Sequence, residues 1–250
     1  MPPRFTVVGL GEALFDIFPD KQVLGGAPLN VAVHAHQLAA PVGGRGVVVS
    51  RIGQDDLGTQ LLRDIAARGM TTEYLQTDPD RDTGKVYVGS DDQGQPTYDI
   101  VSQVAWDVLQ FDPDLESLAQ RCEAVCFGSL AQREAQTRNT IYRFLTAAGR
   151  AVRLFDVNLR QHYHDRRTLE RSGEASNALK LNHEELPLVI RALGLGPADA
   201  VGADSARHDP WVQLLLRRFE LRLVVLTRGQ QGTVLYTPQA RYEGQPASYP

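Results

Sequence analysis

The chain has 250 residues, 42% hydrophobic and 22% charged, with a formal net charge of -4; that is length enough for a substantial core. No block of lysines and arginines stands out, so nucleic acid is not an expected partner. The first apolar run, from Phe5, follows only Arg4 and is broken by Glu12 and Asp16, which does not read as a signal peptide; no stretch approaches transmembrane length, and a cytoplasmic protein without membrane contact is expected.

In chain order, FTVVGL (5–10) is apolar and β-branched and predicts a first strand. LGGAPLNVAVHAHQL (24–38) sets two glycines and an asparagine before a small apolar helix. Val31, Ala32, Ala35, Leu38 and Ala39 recur there at near-helical spacing, and Pro28 suits the first turn. GVVVSRI (46–52) predicts a strand, and Leu57, Leu61, Leu62 and Ile65 mark a helix. Residues 83–101, TGKVYVGSDDQGQPTYDIV, alternate around a DDQG turn and predict a hairpin. The short apolar stretch before Gly25 is expected to pair with it in a small, separate sheet.

AVCF (124–127), AVRLFDV (151–157), ALKL (178–181) and LRLVVLT (221–227) predict further strands. Ile141, Phe144, Leu145 and Ala148 mark a helix with Gly149 as its stop, and Trp211, Leu214, Leu215 and Phe219 mark another. VVLTRGQQGTVLY reads as strand, turn and strand, and the tail from Pro238 reads as loop. Cys122 and Cys126 read as buried thiols rather than a disulfide or zinc pair. Strands alternating with helices predict an α/β chain with a mostly parallel sheet covered on both faces. In such sheets ligands sit at the carboxyl ends of the strands.

Polar residues collect at those ends. Glu12 and Asp16 follow the first strand, and a carboxylate only accepts hydrogen bonds, which suits a ligand rich in hydroxyls. Asn30 both donates and accepts, while Gly25 and Gly26 let backbone approach a ligand closely. Asp16, Gly26 and Asn30 together read as a polyol-binding set; singly, each also suits an ion pair, a helix cap or a turn. Gly9-Leu10-Gly11 lacks the third glycine of a dinucleotide fingerprint, because position 14 is Leu14. In FDVNLR, alternation in extended chain puts Asp156, Asn158 and Arg160 on one side. Arg160 there suits an anionic or polyhydroxylated group. In KLNHEE, Lys180, Asn182 and Glu185 follow a strand, and Glu185 stands three after Asn182, where a capping box would put it. The alternative is that Asn182 and Glu185 organise a hydrated magnesium ion. Thr227, Gly229 and Gly232 suit either a hairpin or a phosphate chain. His34 and His36 do not share a helix face, and His162 and His164 lack a third ligand, so metal catalysis by histidine is not expected.

GEALFD, GGAPLN, FDVNLR, KLNHEE and TRGQQG fall in one order. Jointly they resemble the ribokinase-like, phosphofructokinase-B type carbohydrate kinases. GSLAQR (128–133) and FDVNLRQHY (155–163) are most similar to the bacterial fructokinase branch. The resemblance implies one three-layer α/β/α domain over 1–250, with a β-sheet lid formed by about 18–26 and 83–104. It implies transfer of the ATP γ-phosphoryl group to a sugar hydroxyl. Asp16 and Asn30 would bind the sugar, Gly25 and Gly26 would form the lid hinge, and Tyr87 would cover the sugar from a lid strand. Arg160 would reach the sugar or the transferring phosphate. Asn182 and Glu185, with Lys180, would arrange Mg2+ and phosphates; Thr227, Gly229 and Gly232 would line the nucleotide site. A homodimer through the lid sheet is expected. A kinase for 2-keto-3-deoxygluconate, or a sugar-binding module without catalysis, carries the same motifs.

The family's general-base aspartate lies in a G-A-G-D segment after the TRGQQG-like stretch. These 250 residues contain no such segment, and Asp204 has no G-A-G before it. The resemblance therefore implies a base beyond Pro250, and no appreciable phosphoryl transfer is expected from a chain that stops there.

Overall fold

The computed structural model describes residues 3–90, 96–197 and 208–246. Two compact units divide the chain, Met1–Ala151 and Val152–Pro250.

In the first unit, β1 (Thr6–Leu10) lies between β4 (Arg45–Gly53) and β8 (Ala124–Gly128), and β5 (Leu75–Asp78) flanks β4; all three pairings are parallel. β1 and β4 are largely buried, as their continuous β-branched runs require. Helix α1 (Ala27–Ala39) packs on β1, β4 and β8. The approach is close because glycines face it: a Cβ on Gly9 would fall 1.9 Å from the Pro28 carbonyl oxygen, and one on Gly46 the same distance from that of Ala32. Helices α2 (Asp56–Ala67), α3 (Pro113–Arg121) and α4 (Ala135–Ala147) complete the layer elements of this unit. A core of Phe15, Leu29, Val48, Ile52, Leu61 and Ile65 joins α1 and α2 to the strands. Leu38, expected on the apolar stripe of α1, is instead 80% exposed; the buried side of the helix runs through Pro28, Leu29, Ala32 and Ala39.

A second sheet in this unit has the order β3-β2-β6-β7. Its strands are Leu14–Ile17 (β2), Gln22–Gly25 (β3), Gly84–Ser90 (β6) and Pro96–Ile100 (β7). The hairpin expectation holds for β6 and β7, which pair antiparallel with Val86 opposite Ile100. The stretch before Gly25 does not pair with that hairpin. β3 joins β2, which lies between β3 and β6 and runs parallel to β6. The DDQG turn and Asp204 lie outside the described residues.

In the second unit, β9 (Val152–Asp156), β10 (Ala178–Asn182) and β11 (Leu223–Thr227) run parallel, and β12 (Thr233–Tyr236) and β13 (Arg241–Gly244) continue antiparallel from β11. β13 corrects the loop expected from Pro238 onward: RYEG pairs with β12 although all four of its residues are exposed. Helices α5 (Arg166–Ala175), α6 (Glu185–Ala192) and α7 (Asp209–Arg218) pack on β9, β10 and β11 respectively. Gly149 does not stop α4 in a left-handed conformation; the helix closes at Ala148, whose N–H donates to the Phe144 carbonyl. Parallel strands with packed helices in both units, plus the small sheet, make the chain a mixed α/β protein.

Candidate functional site

The loop between β1 and β2 builds the first group. Glu12 is 2% exposed, and its Oε1 accepts from the Ala27 N–H at 3.3 Å. Gly26, the N-cap of α1, has no side chain with which to do this, so Glu12 caps the helix from another segment. Gly26 sits at φ +110°, and a Cβ there would lie 2.4 Å from the Glu12 carbonyl oxygen. Glycine is therefore required twice over, by conformation and by space. Gly25 leaves room for a functional group instead: its Cβ would meet Asp16 Oδ2 at 2.7 Å. Asn30 stands exposed on the first turn of α1, and its N–H donates to the Gly26 carbonyl at 2.9 Å. Asp16, Gly25 and Gly26 thus adjoin, the half-buried Asp16 carboxylate standing against bare backbone, and Asn30 follows one helical turn after Gly26.

Tyr87 does not belong to that patch. Strand partners in register project to the same face, and alternate residues to opposite faces. Ile17 pairs with Tyr87 and Tyr87 with Asp99, whereas Asp16 pairs with Val86, which pairs with Ile100. Tyr87, half-exposed, lies on the opposite face from Asp16. The tyrosine on the Asp16 face is Tyr98, paired with Val88 and 56% exposed.

The strand ends of the second unit build another group. Lys180 pairs in register with Asp156, and its Nζ donates to Asp156 Oδ1 at 2.9 Å and Oδ2 at 3.3 Å. Burial pushes the Asp156 carboxyl above its ordinary range against the pull of Lys180, and Glu185 adds to the rise. Asn182 stands beside Thr227 in the β10–β11 register, and the His183 N–H donates to the Thr227 carbonyl. The capping box is complete: Asn182 Oδ1 accepts from the Glu185 N–H at 2.8 Å, and Glu185 Oε2 accepts from the Asn182 N–H at 2.8 Å. Glu185 Oε1 also accepts from the Leu159 N–H at 2.8 Å, so this buried carboxylate ties the loop after β9 to the start of α6.

Alternation does not carry past Asp156. Asn158 has φ +39° and Gln161 +46°, so the chain leaves the extended form where FDVNLR was expected to continue it. Arg160 is exposed and close enough to lower the Asp156 carboxyl electrostatically. Gly229 and Gly232 separate in role. Gly229 has φ +56° and open space where a Cβ would be. Gly232 is filled against β13, its Cβ position 2.1 Å from the Gly244 carbonyl oxygen. Bare backbone at Gly232 thus serves strand packing.

Asn182 and Glu185 present oxygen donors, the type magnesium prefers. Each already accepts from backbone amides, so they fit a hydrated ion held through its waters. Sequence reasoning did not find the Glu12 cap, the Glu185–Leu159 bond or a buried Arg133–Asp107 ion pair. All three join residues far apart in the chain and leave no local periodicity.

The model of the pfkB family of carbohydrate kinases matches residues 18–248. A fructokinase of Klebsiella pneumoniae is 30% identical over 96% of this chain and 75% of its own length. One of Escherichia coli is 27% identical over 90% and 72%. Among solved structures, a Xylella fastidiosa fructokinase with bound ATP superposes with a TM-score of 0.78 at 21% identity, over 95% of this chain and 76% of that one. The chain belongs to the pfkB family of carbohydrate kinases.

Proposed function

We propose that this sugar kinase is an ATP-dependent fructokinase that works with Mg2+. The observation that carries the proposal is the Asp16 carboxylate standing on the bare backbone of Gly25, next to Gly26, the N-cap of the helix that exposes Asn30. An acceptor-only carboxylate and an amide that both donates and accepts suit adjacent sugar hydroxyls. The small sheet acts as the lid, with Gly25 and Gly26 at its root. Tyr98, on the Asp16 face, takes the covering role first expected of Tyr87. In the second unit, Lys180, Asn182, Thr227 and Gly229 hold the nucleotide phosphates, Glu185 fixes the loop that carries Arg160, and Asn182 and Glu185 meet the waters of Mg2+. Bound Mg2+ would neutralise phosphate charge as the γ-phosphoryl group moves. We assign no proton acceptor within residues 1–250.

Fructose is preferred to an acidic sugar because the relatives compared above carry the name fructokinase. Binding calorimetry across fructose, ribose and 2-keto-3-deoxygluconate tests this: the tightest binding is expected for fructose, and preference for the acid would overturn the substrate assignment. We also propose a cytoplasmic homodimer joined through the small sheet, whose edge strand β3 exposes Val23. Sedimentation velocity is expected to give twice the chain mass, and a charged substitution at Val23 to return the monomer.

A further inference from the structure

GSLAQR was noted above only for its likeness to one branch of the family. Its last residue, Arg133, is 4% exposed at the side chain, as deeply buried as its partner Asp107 at 2%. Nε and Nη2 donate to the two Asp107 oxygens, each at 2.8 Å, and Nη2 also donates to the Val101 carbonyl at 2.7 Å. Val101 directly follows β7. The guanidinium lies 4.0 Å from the ring centroid of Trp106, which is 1% exposed. The backbone carbonyl of Trp106 accepts from Thr137 Oγ1 on α4 at 2.7 Å. At its Nε1 edge the indole closes on Gly84, the first residue of β6: a Cβ there would fall 2.5 Å from Trp106 Nε1 and 3.0 Å from the Leu14 Cβ. Leu14 opens β2 and shares the face of Asp16.

From these contacts we infer that Arg133, with Asp107 and Trp106, is a positioning platform that fixes the start of β6 and the end of β7 and thereby sets sugar affinity. One guanidinium–indole stack, anchored to α4, touches the start of β6 and the end of β7, and Leu14 of β2 pairs with Gly84 at that same start of β6. The contacts of Arg133 with Asp107, Val101 and Trp106 all bear on the base of the small sheet, and its role is assigned through them. Part of this inference rests on the fructokinase reading, and the test separates the two.

Two variants press on the platform at different contacts. Arg133→Lys keeps a charge beside Asp107 but loses the fork and the reach to Val101. Gly84→Ala leaves the ion pair intact and wedges a methyl between the indole and Leu14. Hydrogen exchange is followed along the whole chain, and fructose and ATP binding are titrated by calorimetry. In both variants the amides of β6 and β7 are expected to exchange about tenfold faster, with β1, β4 and α1 unchanged. Fructose affinity is expected to fall roughly tenfold, with ATP affinity unchanged. Exchange that rises uniformly, or a hairpin that exchanges as in the wild type, would overturn the positioning role. So would faster hairpin exchange with unaltered fructose affinity. Failure of the wild type to bind fructose would instead defeat the fructokinase reading, and the exchange data would still decide whether Arg133 holds the lid.

Discussion

At Gly25 and Gly26 the absence of a side chain does two different jobs. Gly26 turns the chain into α1 at a positive φ, pressed against the Glu12 carbonyl, while Glu12 reaches over to cap the helix. Gly26→Ala is expected to cost about 1–3 kcal/mol from strain alone, measured as a lower urea midpoint with an unchanged slope. Gly25→Ala acts on function instead. Its methyl would meet Asp16 Oδ2 at 2.7 Å, and turning the carboxylate aside is the cheap response. Fructose affinity is expected to fall by more than the lost stability accounts for; a variant that binds fructose as well as the wild type would show that Asp16 does not need this orientation.

At the scale of elements, side-chain acceptors at helix starts hold loops from elsewhere in the chain. Asp55 caps α2 through the Gly58 N–H at 2.7 Å and also accepts from Thr83 Oγ1 at 2.6 Å and the Thr83 N–H at 2.9 Å. Burial alone would raise its carboxyl, but these bonds and Lys85 outweigh it and hold the group below its ordinary 3.8. The sign follows from linkage: the unfolded state takes up the proton first, so the contribution is complete above pH 3.8 and is lost as pH falls through the lower folded value. Asp55→Asn is expected to lower stability at pH 7 by about 1–3 kcal/mol and to flatten the acid limb of the stability curve below pH 4. Glu185 plays the parallel role in the second unit, with an oxygen on each of two backbone N–H groups. In Glu185→Gln the carboxamide NH2 must face one of those donors, so a loss of about 1–3 kcal/mol is expected. Faster hydrogen exchange at 158–161 would locate the damage, and none there would contradict the tie to Leu159.

For the molecule as a whole, legibility in the sequence tracked local chemistry. The β-branched runs at 5–10 and 46–52 announced strands because burial on both faces leaves apolar residues few alternatives, and 221–227 did so although only its alternate residues are fully buried. Helix α5 gave no such signal: it buries Thr168, Ser172 and Gly173 beside a lone Leu169. The four-residue strands LQTD and RYEG are too short and polar to show a period. The candidate site was readable where a motif is compact, as in the Asn182–Glu185 box. It was unreadable where bonds span distant segments, and misread at Tyr87, because the register between β2 and β6 decides which face a residue takes and nothing local to TGKVYV sets it. Those long-range ties are also what would hold Asp16 still for a sugar.

Calorimetric titration of fructose into the wild-type protein and into Asp16→Asn tests the central claim most directly. The substitution preserves shape while removing the charged acceptor, so affinity is expected to drop by more than about tenfold, with the melting temperature shifted by only a few degrees. Equal affinities in the two proteins would contradict the assignment of Asp16 to the sugar.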